Sequence, residues 1–126
     1  MGVKYANDTF GHQAGDIILK EIAHIIQSKC RQIDVVGRYG GEEFIIMLGG
    51  SKAKGAADVA EKIRAAVEAR KFKFGNNIYS LTISIGVAEY SDEKTKEDLI
   101  AKSDKALYTA KKTGKNRVCI YEEGKA

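Results

Sequence analysis

Two adjacent carboxylates, Glu42 and Glu43, follow a glycine pair in the stretch Arg38-Tyr39-Gly40-Gly41-Glu42-Glu43-Phe44. Side by side on a tight turn they repel each other unless a positive partner lies between or beside them, and a divalent cation carried on phosphate oxygens is one such partner. Val35 and Val36 lead in with β-branched side chains, and Phe44 to Leu48 form a short apolar run, so the acids sit at the tip of a predicted β-hairpin. The glycines suit the positive φ of a two-residue hairpin turn. Ordinary hairpin chemistry explains the same letters: Gly-Gly makes the turn and the acids keep its tip hydrated. Taken alone, the local pattern favours that plainer reading.

The elements that must position this tip are legible to different degrees. Met1 to Phe10 shows no clear periodicity, and with Asn7-Asp8-Thr9 and the glycines flanking His12 it is expected to be a loop. From Asp16, Ile18, Leu19, Ile22, Ile25 and Ile26 recur at three- and four-residue steps, which predicts a helix to about Lys29. The hairpin follows, a strand near Asp34 to Tyr39 paired with Phe44 to Leu48. Ala56, Val59, Ala60, Ile63 and Val67 mark a second helix, and Phe72 to Asn77 is expected to turn the chain. Leu81 to Val87 alternates with period two as a half-buried strand. A third helix runs from about Lys96 to Lys112, stopped by Gly114, before a short strand at Val118 to Tyr121. Helices laid between strands in this way predict an α/β (α+β) sandwich, with a ferredoxin-like core and a mostly antiparallel central sheet flanked by helices.

Length and composition set the frame. At 126 residues, 44% apolar and 30% charged, the chain has the profile of one globular domain, and no second is expected within residues 1–126. The charge of +4 suits an anionic ligand, but the lysines are scattered and form no basic block. Nothing approaches the roughly 20 apolar residues of a membrane span, and no signal-peptide pattern opens the chain. A cytoplasmic location without membrane contact is expected. Cys30 and Cys119 lack a CxxC or His pairing and read as reduced thiols.

Gly40-Gly41-Glu42-Glu43-Phe44 resembles the signature of GGDEF domains, the diguanylate cyclases, in its Glu-for-Asp form. Further family elements follow in register: Asn7-Asp8-Thr9-Phe10-Gly11-His12-Gln13-Ala14-Gly15-Asp16, Arg31-Gln32-Ile33-Asp34, Ser84-Ile85-Gly86-Val87-Ala88, Ala106-Leu107-Tyr108, and Lys111 to Arg117. The resemblance spans nearly the whole chain. It implies a nucleotidyl-cyclase or polymerase-palm-like fold and a nucleotidyltransferase that condenses two GTP into cyclic di-GMP and pyrophosphate, a bacterial second-messenger activity, with Mg2+ or Mn2+.

By that resemblance Glu42 binds metal and accepts the 3′-hydroxyl proton, and Glu43 is a second metal or positioning carboxylate. Gly40 and Gly41 let phosphate approach, Asn7 and Asp16 read guanine, His12 contacts substrate, and Lys111 and Lys115 meet triphosphate oxygens. Each has a plainer reading: a turn or cap for Asn7, helix-dipole complementarity for Asp16 and the lysines, a solvated turn residue for His12. Arg31 and Asp34, with Arg64 from the next helix, match an inhibitory product site for cyclic di-GMP, though an RxxD alone is also an ordinary ion pair. Each domain holds one GTP, so the resemblance implies a homodimer, and an upstream sensory domain in a longer parent protein.

The family's first strand, which ends in a metal-binding Asp, has no counterpart here, because only Met-Gly-Val-Lys-Tyr-Ala precedes Asn7. That gap implies low stability, strand exchange between chains or a replacement for the strand. It also keeps open a catalytically incompetent fragment, or a regulatory module that binds GTP or cyclic di-GMP. An RNA-recognition domain ranks last, since Ile45 to Leu48 and Leu81 to Val87 contain no aromatic residue for base stacking.

Overall fold

The computed structural model describes residues 2–123. These group into two compact units, Met1–Gly49 with Ala65–Thr82, and Gly50–Arg64 with Ile83–Ala126. Strand pairing among the described residues is divided into three two-stranded ladders, two antiparallel and one parallel.

In the first unit the segment expected to be a loop is a helix, α1 (Val3–Phe10); Met1 lies outside the described residues. Eight residues are too few for a helix to persist on intrinsic propensity, so tertiary packing must supply the stability. Val3 and Ala6 are buried, Phe10 meets the rings of Phe74 and Tyr79 at 5.5 and 5.9 Å, and Tyr5 stacks on Tyr79. The Tyr79 hydroxyl donates to the Gly2 carbonyl at 2.8 Å. Those rings belong to β3 (Phe72–Phe74) and β4 (Asn77–Tyr79), a hairpin where the sequence suggested only a turn. Gly75 supplies its positive φ of 59°.

Helix α2 (His12–Lys29) starts four residues earlier than its periodicity indicated. It buries Ile18, Leu19, Ile22, Ile25 and Ile26 as expected. Each such side chain contributes about 1.5–3 kcal/mol of transfer free energy. The hairpin β1 (Val35–Arg38) and β2 (Phe44–Met47) then forms in antiparallel register, Arg38 opposite Phe44 and Val35 opposite Met47.

Helix α3 (Ala53–Ala69) leads through both units, with Ala60, Ile63 and Val67 buried. Its first turn is capped from a distance, the Ala53 N–H donating to Glu89 Oε1 at 2.6 Å, where a carboxylate meets the positive end of the helix.

In the second unit β5 (Ile85–Val87) lies parallel to β6 (Val118–Ile120), and α4 (Lys96–Lys112) packs on both. Ile83 and Val87 are buried on the face predicted by alternation, as is Leu81 at the end of the first unit, yet ladder pairing begins only at Ile85. Helix α4 matches its predicted span. The Thr95 hydroxyl accepts from the Asp98 N–H, acids fill the first turn and lysines the last, complementing the helix dipole.

After β5 a turn carries Glu93, whose side chain is 3% exposed and lies 2.8 Å from Lys102 Nζ. That ammonium, together with the Ser91 N–H, draws the Glu93 carboxyl down to about 2, and Glu93 in turn raises Lys102. The folded value lies below the ordinary 4.5, so the stabilisation is present above that pH and is lost as pH falls toward about 2. Glu93→Gln is therefore expected to flatten the acid limb of the stability curve in this window. Urea melts of both proteins at a series of pH values check it, and curves that remain parallel through the window refute it.

Candidate active site

Between Arg38 and Phe44 the chain does not make a two-residue turn. The Tyr39 N–H donates to the Glu43 carbonyl at 2.9 Å, enclosing Gly40, Gly41 and Glu42 in a wider loop. Neither Gly40 nor Gly41 has a positive φ. A Cβ added to either would meet no atom within 4 Å. Turn geometry and internal packing therefore do not require glycine at either position. Arg38, which sequence reasoning passed over, donates its guanidinium to the Gly41 carbonyl and braces the loop. Nothing in the sequence pattern marks that contact.

Glu42 is half-buried and Glu43 exposed. Among the described residues neither carboxylate has a hydrogen-bond or ion-pair partner. Two adjacent carboxylates without a cation, on a braced loop beside an open glycine pair, form an acceptor site for a positively charged group. No third His, Cys, Asp or Glu among the described residues joins them in a ligand cluster. Two carboxylates suit a magnesium ion that keeps water and phosphate oxygens in its remaining positions, rather than one caged wholly by protein.

In the same unit Asn7 sits in α1, and Gly11, at φ 97°, joins that helix to α2. The Asn7 carbonyl accepts from the Gly11 N–H, and its side-chain Oδ1 accepts from the Gly15 N–H at 2.8 Å. Asn7 is thus at neither a turn nor a helix cap: it lies within α1, and its side chain reaches Gly15 inside α2. Its Nδ2 donors have no partner among the described residues. His12 and Asp16 lie exposed in the first turns of α2, on either side of Gly15.

Arg31 and Asp34 meet in the turn between α2 and β1. Asp34 receives the Arg31 N–H at 2.7 Å and its guanidinium at 3.0 and 3.3 Å, and the Arg31 side chain also reaches the Gly49 carbonyl. The Arg31 hydrogen bonds hold the Asp34 carboxyl below the usual range. Both line a cleft of about 440 Å³ with Gln27, Cys30, Gln32, Val35 and Val36, where burial pushes the Cys30 thiol up.

The second unit holds the lysines. Lys111 lies in the last turn of α4, but Lys115 is beyond the helix, where Gly114, Lys115 and Asn116 all have positive φ. The Lys115 N–H closes the helix end on the Ala110 carbonyl at 2.9 Å. Neither lysine side chain has a partner among the described residues, whereas Lys112 lies over the Tyr108 ring. Arg64 is held by Glu61 at 2.6 Å and donates to Asn116 Oδ1 at 2.8 Å, so it braces the turn that carries Lys115. Asn116, which sequence reasoning did not single out, tolerates the left-handed backbone there.

The α+β fold is that of a nucleotidyl-cyclase-like domain. The chain belongs to the GGDEF family: residues 3–117 match the model described as "Diguanylate cyclase, GGDEF domain". It is 47% identical over 93% of its length to Diguanylate cyclase A of Treponema denticola, covering 32% of that protein. Among solved structures it is similar to the GGDEF domain of DgcB from Caulobacter crescentus in complex with c-di-GMP. There the TM-score is 0.90 at 34% identity, over 97% of this chain and 73% of that one. It is likewise similar to the active GGEEF domain of a diguanylate cyclase from Vibrio cholerae, with TM-score 0.84 and 38% identity over 97% of this chain and 78% of that one. The chain spans about a third or less of the length of the curated relatives it matches. No helix among the described residues is long and apolar enough to cross a membrane.

Proposed function

We propose that this domain condenses two GTP molecules into cyclic di-GMP, each 3′-hydroxyl attacking the α-phosphate of the other nucleotide. Two phosphodiester bonds form, two α–β phosphoanhydride bonds break, and two pyrophosphates leave. The observation that carries the reading is the pair of partnerless carboxylates beside two glycines that neither backbone geometry nor packing requires. Membership of the GGDEF family supports the same chemistry.

Glu42, the less exposed of the two acids, accepts the proton of the attacking hydroxyl, and Glu43 orients the phosphates from the solvent side. The two acids would together hold Mg2+ or Mn2+, which when bound supplies positive charge to the phosphate oxygens. Gly40 and Gly41 let the phosphates approach the loop backbone, and Lys111 and Lys115 provide ammonium groups for the triphosphate. Asn7 and Asp16 read the guanine edge, with His12 beside the base or ribose. One site holds one GTP, so synthesis requires two copies of the domain, facing each other as a homodimer.

Arg31 and Asp34 are the proposed product site, where the preformed pair offers a guanidinium to phosphate and a carboxylate to guanine. Arg64 is the further guanidinium proposed for the same product. The greater length of the curated relatives supports an upstream sensory domain, and GTP as substrate supports a cytoplasmic location.

The test is cyclic di-GMP formation by the purified chain with GTP and magnesium at several protein concentrations. Product rising more steeply than linearly with protein is the expected outcome, because two chains must meet. A linear rise would refute the two-chain requirement. Wild-type chain that binds GTP and yields no product would make this a regulatory module instead.

A further inference from the structure

We propose that Gly15 is a positioning residue that fixes which end of the Asn7 amide faces the base, and so sets discrimination between guanine and adenine. This rests on the reading of Asn7 as a base contact. A primary amide is ambiguous: turned by 180° it exchanges a carbonyl acceptor for an NH2 donor, and one orientation suits guanine O6 while the other suits the adenine amino group. Here the Gly15 N–H donates to Oδ1 at 2.8 Å, and a backbone N–H has no acceptor to offer a flipped amide. The flipped state would set two donors against each other and is excluded. What remains for a ligand is the Nδ2 pair, which has no partner among the described residues. These donors match the O6 of guanine and clash electrostatically with the N6 amino group of adenine.

The absence of a side chain at Gly15 is part of the device. Gly15 is buried in α2 without a positive φ, so its backbone does not need glycine. A Cβ there would lie 2.6 Å from Asn7 Cγ and inside contact distance of Oδ1. Any other residue pushes the Asn7 amide off the Gly15 N–H and frees it to rotate. The sequence places Gly15 in a loop before the helix, and its place inside α2 comes from the structure alone.

The test measures binding of the α,β-methylene analogues of GTP, ITP and ATP, with magnesium, to wild type, Gly15→Ala and Asn7→Asp. Inosine keeps O6 and N1–H and lacks the 2-amino group, so a preference that GTP and ITP share does not depend on the N2 donor. Wild type is expected to prefer both GTP and ITP over ATP. Gly15→Ala should cut the preference about tenfold for GTP and ITP alike, with affinity for the ATP analogue retained or improved. Asn7→Asp keeps an acceptor for the Gly15 N–H but turns an oxygen toward O6, so it should melt close to wild type and lose the preference by roughly ten- to a hundredfold. If Gly15→Ala does not fold, NMR of the wild type with the GTP analogue decides: the Asn7 NH2 is expected in contact with the base and the Gly15 N–H protected from exchange, and an Asn7 Oδ1 turned to the base overturns the proposal. Wild-type preference persisting in folded Gly15→Ala overturns the proposal and leaves the guanine reading standing, whereas preference persisting in Asn7→Asp removes Asn7 from base recognition and the proposal with it. A wild type that binds the three analogues equally, or binds none, overturns the guanine reading and the proposal with it.

Discussion

Glu42→Ala is expected to lower cyclic di-GMP formation by roughly 10²–10⁴-fold, the range for removing a positioned general base. The same change should leave the melting curve nearly in place. Glu42 makes no hydrogen bond or ion pair among the described residues, so its removal breaks no internal contact. Surface substitutions of that kind stay within about 0.5 kcal/mol. The loop keeps its shape because its braces are backbone and Arg38 contacts: the Tyr39 N–H on the Glu43 carbonyl, and the guanidinium on Gly41. Glu42→Gln preserves size and removes the charge, and should fall as far as the alanine variant. Product assays beside thermal melts check both. Retained activity within about tenfold of wild type would return the tip to a hydrated hairpin without catalytic meaning.

Gly86→Ala is expected to destabilise the protein by about 3 kcal/mol, the upper end of the usual cost of overpacking. Strand β5 lies against α4 so closely that a Cβ at position 86 would fall inside contact distance of the Ser103 carbonyl oxygen and the Leu107 nitrogen, and 2.9 Å from Leu107 Cα. These are backbone atoms, and no rotamer change can move them aside. Relief requires α4 as a whole to withdraw, which uncovers Ala106, Ala110 and Val87. A fall in melting temperature of roughly 10 °C follows for a domain of this size. Adding Leu107→Ala or Ser103→Ala should not rescue it, because neither removes the offending atoms. A second-site rescue by either truncation would show that side chains carry the clash, against this account.

The two changes probe opposite uses of the same economy. At Gly86 the missing side chain is filled by the protein's own helix, whereas at Gly40 and Gly41 the space stays open toward solvent. Only the coordinates separate these cases, since the sequence shows glycine at all three positions.

What the sequence determined by itself was whatever is encoded locally. The isoleucines of α2, the Ala60, Ile63 and Val67 stripe of α3, and Gly114 after α4 each sit within a few residues of what they signal. The β-branched and apolar runs on either side of Gly40-Gly41 likewise placed β1 and β2, and the motif residues identified the family. Helix α1 and the β3–β4 hairpin were illegible because each is stabilised by the other: Phe10 needs Phe74 and Tyr79, sixty or more positions away, before eight residues hold a helix. The tip was read as a two-residue turn because Gly-Gly permits positive φ, yet Arg38 and the Tyr39–Glu43 hydrogen bond hold a wider loop without it. Tertiary structure alone decided that Asn7 faces the Gly15 N–H, that Arg64 braces Asn116, and that Lys115 leaves the helical row of Lys111. Periodicity records which face of an element is buried, but it carries no information about which distant donor meets which acceptor once those faces close.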